Sequence, residues 1–187
     1  LDLVEIHLSY KDLEVDLDVV IPERQPIGLV IHAPELFAGD HTLDLSTADD
    51  EYRQHSIREL QRVVDISKDL RKRFNCDEPV LLVTNVGGFS EHHHLDDQEK
   101  QPLRDRLIQS LDKISTSNEV EIIPQTMPPF PWHFGGQRYH NLFVDADFIQ
   151  DFHNDTGMRV CLDVSHSKLA CNHLDASFSE FLKKILP

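Results

Sequence analysis

The 187-residue chain is short of several things at once. It has three cysteines, Cys76, Cys161 and Cys171, scattered along its length. No two of them have zinc-finger spacing, and a disulfide framework needs more, so reduced thiols in a cytoplasmic protein are expected. Positive charge is also scarce: 18 Lys and Arg stand against 33 Asp and Glu, for a formal net charge of −15. Such a surface repels phosphate backbones, so no nucleic-acid partner is expected. The densest basic run, DLRKRF at 69–74, falls inside an expected helix and reads as a solvated face. No apolar stretch reaches the roughly 18 residues a membrane span needs, so no membrane association is expected. The opening LDLVEIHLSY is expected to form a strand, not a signal peptide. Seven glycines make neither GxGxxG nor GxxxxGK[ST], so no nucleotide cofactor is expected.

What is present is an alternation. Short runs rich in Val and Ile (3–10, 27–35, 79–88, 119–128 and 158–166) are separated by longer stretches with helical spacing. The first helix is expected at about 49–74, with Ile57, Leu60, Val63, Val64 and Leu70 on one face and Thr47 and two aspartates near its start. Others are expected at about 99–114, at about 144–156 with Gly157 as the stop, and from about Ala176. Near-continuous apolar strands between helices indicate an α/β protein with a parallel sheet buried on both faces. The candidates are an open doubly wound sheet and a (β/α)8 TIM barrel. Five strands do not close such a barrel. Residues 1–187 are therefore expected to be a single domain that holds an incomplete one.

Polar residues gather where the runs end: His32, Asn85, Gln125, then Asp163 and His166. In a barrel that end carries the active site. Asp163 and His166 could hold a metal together, since a carboxylate and an imidazole suit Zn, Mn or Co. Asp163 could instead orient His166 as an acid or base. A third reading has Asp163 merely capping a turn beside an ordinary histidine. The HHH at 92–94 lies in a polar loop and is expected to bind metal only adventitiously. In the long loop PPFPWHFGGQRYHN (128–141), Trp132 could stack on a sugar face and Arg138 could take a phosphate or carboxylate. The plain alternative is a loop that packs on itself.

LVIHAPELF, LLVTNVGGF, EIIPQTMPP and RVCLDVSHS, in that order, resemble the xylose-isomerase-like TIM barrels, a superfamily of sugar and sugar-phosphate isomerases and epimerases that includes endonuclease IV. The resemblance implies that Asp163 is a metal ligand and that His166 contacts metal or substrate. It also implies that His32 is a strand-end histidine. Two positions depart from the family pattern: Asn85 stands where a histidine is expected, and Gln125 where a glutamate serves the isomerases as ligand and base. An amide cannot take a proton from a sugar carbon, and it ligates weakly. The expectation is a sugar or sugar-phosphate isomerase or epimerase with Asp163 and His166 as catalytic residues. Gln125, Asn85, His32, Trp132 and Arg138 would bind substrate. At most one divalent metal (Zn, Mn, Co or Mg) would sit on Asp163 and His166. A non-catalytic carbohydrate-binding relative is the alternative, and a DNA-repair nuclease is disfavoured by charge and ligand count. Exposed strand edges suggest a homo-oligomer.

Overall fold

Four of the five apolar runs become neighbouring parallel strands. The computed structural model describes residues 2–131 and 138–186. Its main sheet consists of β1 (Leu3–His7), β2 (Gly28–His32), β3 (Val80–Thr84) and β4 (Val120–Pro124), hydrogen-bonded in that order. All three pairings are parallel. Spatial order follows chain order with no reversal, which excludes the doubly wound alternative. Right-handed crossovers that always advance the same way put their helices on one face of the sheet. The other face can be buried only if the sheet curls toward a barrel.

The strand faces differ accordingly. Leu29, Ile31, Leu82 and Ile122 are buried in one apolar cluster with Leu60, Val63 and Val64 of α1 (Asp50–Arg71). The helix buries the stripe its spacing predicts, and the Asp49 carboxylate caps its first turn by accepting from the Tyr52 N–H at 3.0 Å. On the opposite face the register aligns Glu5, Val30, Leu81 and Glu121 in one row, and His7, His32, Val83 and Ile123 in the next. The first of these rows is only partly covered. Helix α2 (Asp97–Leu111) starts with a capping box between Asp96 and Glu99, and α3 (Ala146–Thr156) stops at Gly157, whose φ is +69°.

The fifth run departs from expectation. It does not extend as a strand to residue 166. Only Cys161 pairs with Gln125, through a single parallel bridge with hydrogen bonds from Cys161 N to Pro124 O (2.8 Å) and from Thr126 N to Cys161 O (2.9 Å). At Val164 the chain turns into α4 (Val164–His173), followed by α5 (Phe178–Ile185). The reason is local: the Asp163 carboxylate accepts the His166 N–H at 2.9 Å and so caps a helix where the chain was expected to stay extended. No helix among the described residues is long and apolar enough to cross a membrane.

Candidate functional site

The ends of the parallel strands place polar side chains on the less covered face of the sheet. His32 closes β2, Asn85 follows β3, Gln125 follows β4, and Asp163 follows the Cys161 bridge. Gln125 is the hub. Its Oε1 lies 2.7 Å from His32 Nε2, and its Nε2 lies 3.1 Å from Asp163 Oδ2 and 3.2 Å from His166 Nδ1. A carboxylate only accepts, so the amide NH2 must face Asp163 and the amide oxygen must face His32. His32 is held from behind by His7, whose ring stacks on it at 4.5 Å with 9° between the planes.

Asp163 is fixed through both its side chain and its backbone. Oδ1 accepts from the Ser165 hydroxyl at 2.6 Å and from the His166 N–H. Its own N–H donates to Thr126 Oγ1 at 2.9 Å, and the Ser167 hydroxyl donates to the Asp163 carbonyl at 2.8 Å. Burial pushes the carboxyl pKa up. The hydrogen bonds from Ser165 and His166, with the nearby imidazole, outweigh this and hold Asp163 below the ordinary carboxylate value. His166 Nδ1 lies 3.0 Å from the Thr126 carbonyl oxygen, which can only accept. The Gln125 NH2 lies on the same nitrogen at 3.2 Å, so the two contacts compete. In the tautomer that bonds Thr126, Nδ1 carries the proton and Nε2 keeps the basic lone pair.

Asn85 is buried, and its Oδ1 has no hydrogen-bond partner among the described residues. Trp132 lies outside the described residues. The Arg138 guanidinium sits 5.9 Å from the centre of the Phe89 ring, and its charge acts on Asp44. Asp44 is buried, which pushes its carboxyl up, against backbone N–H groups of Ser46, Gly88 and Thr47 that pull it down. Of the three adjacent histidines, His92 and His93 are exposed. His94 instead packs against Tyr139 (4.7 Å between ring centres) and His173 (4.9 Å). A cavity of about 810 Å³ lies elsewhere, between α1 and the segment 13–24, lined by paired charges such as Lys72 and Asp69. It touches none of the strand-end residues.

His7 and Thr126 were not foreseen as site residues. The alternation of Leu3, Glu5 and His7 along β1 was the available signal for the first, because it puts His7 level with His32. Thr126 is invisible from spacing, since its role depends on the bridge between two remote segments.

The xylose isomerase-like TIM barrel family matches residues 3–184, and the chain belongs to that family. No curated protein matches the sequence. Among solved structures, a D-tagatose 3-epimerase-like protein superposes with a TM-score of 0.62 at 17% identity, over 98% of this chain and 62% of the other. An L-ribulose 3-epimerase superposes with a TM-score of 0.64 at 16% identity, over 98% of this chain and 56% of the other. At such identities the likeness is one of fold. The chain spans about three fifths of the length of these structures.

The family resemblance raises a metal ion, and the donor atoms here do not fit one. Both oxygens of Asp163 are engaged, His166 Nδ1 lies against the Thr126 carbonyl and the Gln125 NH2, and only His166 Nε2 is left to ligate. Among the described residues no three His, Cys, Asp or Glu side chains gather closely enough to hold an ion.

Proposed function

We propose that the chain is a sugar or sugar-phosphate isomerase or epimerase that works by proton transfer beside a carbonyl. The observation that carries this reading is the convergence of His32, Gln125, Asp163 and His166 at the C-terminal ends of parallel strands, in a chain of this family. His166 Nε2, with its lone pair set by the Nδ1–H bond to Thr126, takes a proton from the carbon next to the sugar carbonyl. The electron pair of that C–H bond moves into an enediolate. In an isomerase the imidazolium then returns the proton to the neighbouring carbon, while the hydroxyl proton passes from one enediolate oxygen to the other and the second oxygen becomes the new carbonyl. An epimerase needs a second acid on the other face of the carbon, and on this reading it comes from outside the Asp163–His166 pair. Asp163 Oδ2, 3.6 Å from His166 Nδ1, favours the imidazolium while it exists. Asn85 Oδ1, which has no partner among the described residues, accepts from a sugar hydroxyl. No step here is routed through a metal.

The second reading, a carbohydrate-binding relative without turnover, is favoured by one observation: the strand-end hub is an amide, which holds its neighbours but accepts no proton. Under either reading the ligand is a small sugar or sugar phosphate. A cytoplasmic setting is part of the proposal and is supported by three free thiols.

The test is a panel of ketoses, aldoses and their phosphates assayed for interconversion and, separately, for binding. The proposal expects turnover that falls about 10²–10⁴-fold in His166→Asn, with sugar binding retained. Binding across the panel without any interconversion would overturn it in favour of the second reading.

A further inference from the structure

We infer that Gln125 takes the place of a cation at this site: its amide ties together side chains that an ion would otherwise hold, and it keeps divalent metals out. The inference concerns the construction of the site and does not rest on the sugar reading.

A metal between strand ends does two things. It neutralises carboxylate charge and it fixes side chains from different strands in one geometry. The Gln125 amide does both here. Its NH2 meets Asp163 Oδ2 at 3.1 Å and so puts partial positive charge against the carboxylate. Its oxygen meets His32 Nε2 at 2.7 Å. One side chain on the β4 end thus joins the β2 end to the start of α4.

The same arrangement excludes an ion. A cation beside Asp163 Oδ2 would face the N–H bonds of the amide, which repel it. The amide oxygen, a weak ligand, is turned toward His32. His166 Nδ1, 3.0 Å from the Thr126 carbonyl, would have to give up that contact to ligate, which leaves Nε2 as the one imidazole atom open to an ion. The remaining carboxylate oxygen, Asp163 Oδ1, already accepts two hydrogen bonds. Binding an ion beside Asp163 would cost several hydrogen bonds and would gain one carboxylate and one imidazole nitrogen, too few donors to hold it.

Gln125→Glu reverses this balance with almost no change in shape. It places a second carboxylate about 3 Å from the first, as judged by the distance of the atom it replaces. Two carboxylates that close cannot both stay ionised without a proton or a cation between them. The introduced carboxylate, with Asp163 and His166, would then make a three-donor set for a divalent ion.

The experiment titrates the full chain with Mn²⁺, following the loss of the free-ion paramagnetic resonance signal and the thermal unfolding midpoint with and without a chelator. All variants carry His92→Ala and His93→Ala to remove the exposed histidines. The expected result is no saturable binding by the chain with Gln125. Gln125→Glu should bind one equivalent at least tenfold more tightly and melt higher with Mn²⁺ than with chelator. Gln125→Glu combined with Asp163→Asn should lose that gain. Two results would overturn the inference. One is a single equivalent bound by the chain with Gln125 and lost in Asp163→Asn. The other is a folded Gln125→Glu chain, verified by circular dichroism, that binds no better. If Gln125→Glu does not fold, the comparison of the Gln125 chain with Asp163→Asn still decides.

Discussion

Gln125 Nε2 donates to Asp163 Oδ2 across 3.1 Å, although the two residues are 38 positions apart in the chain. That bond joins the end of one strand to the cap of a helix and makes them a single polar unit. It depends on the bridge between Gln125 and Cys161 directly beneath it.

Thr126 is the hinge of the unit. Its hydroxyl accepts from Asp163 N–H at 2.9 Å and contacts Ser167 Oγ at 3.0 Å. Thr126→Val keeps the shape and strands the donor. Chemical denaturation should show a loss of about 1–3 kcal/mol. A change within error would mean that the hydroxyl does not hold Asp163.

Gly87 and Gly157 both have positive φ, but their surroundings differ. A Cβ on Gly87 would lie 2.3 Å from Asp44 Oδ1 and 2.5 Å from Asp44 Cα, whereas one on Gly157 meets nothing within 4 Å. Gly87→Ala should therefore cost about 3 kcal/mol or more, combining backbone strain with overpacking. Gly157→Ala should cost only about 1 kcal/mol. Equal losses would contradict the packing of the Asp44 loop under Gly87.

Two groups should shape the acid side of the stability curve. His41 is buried, and burial together with the charge of His55 lowers its pKa from 6.5, against Glu59. The unfolded chain then takes up the proton first. The His41 contribution is fully present above about pH 6.5 and is lost as pH falls through the lower folded value. Asp163 behaves alike at more acidic pH: its pKa is lowered from 3.8, so its contribution is present above that value and lost below it. Unfolding free energies measured from pH 8 to pH 3 should fall less steeply below pH 6.5 in His41→Gln. The slope just below pH 4 should flatten in Asp163→Asn. Unchanged slopes would count against both assignments.

Leu3 on β1 is 53% exposed, and among the described residues β1 pairs only with β2. The Cys161 segment forms the other margin of the sheet. Edges of this kind are prone to pair, so light scattering should find the chain at about twice the monomer mass or larger. A compact closed monomer would refute the expected assembly through the edges.

Much of this architecture is legible in the sequence, and the exceptions have physical causes. Ile57, Leu60, Val63, Val64 and Leu70 mark the buried face of α1 because one stripe meets one sheet. His32, Asn85, Gln125 and Asp163 each end an apolar run, and parallel strands bring like ends together. The spacing of Asp163 and His166 was ambiguous for a reason: it serves as a helix cap and as a site pair at once, since the same carboxylate accepts the His166 N–H and the Gln125 amide. Helix α4 was hidden because a cap directly after a strand leaves no loop to announce it. The role of Gln125 as a hub depends on atoms from three remote segments, which no local pattern encodes.

The central claim is that His166 moves a proton at a carbon of a sugar. It is tested most directly by incubating the full chain with ketoses and ketose phosphates in heavy water and reading carbon-bound deuterium by proton NMR. The account predicts deuterium at the carbon beside the carbonyl for at least one of these sugars, lost in His166→Asn while that sugar still binds. Sugar binding without any deuterium wash-in, or wash-in that is unchanged in His166→Asn, would contradict it.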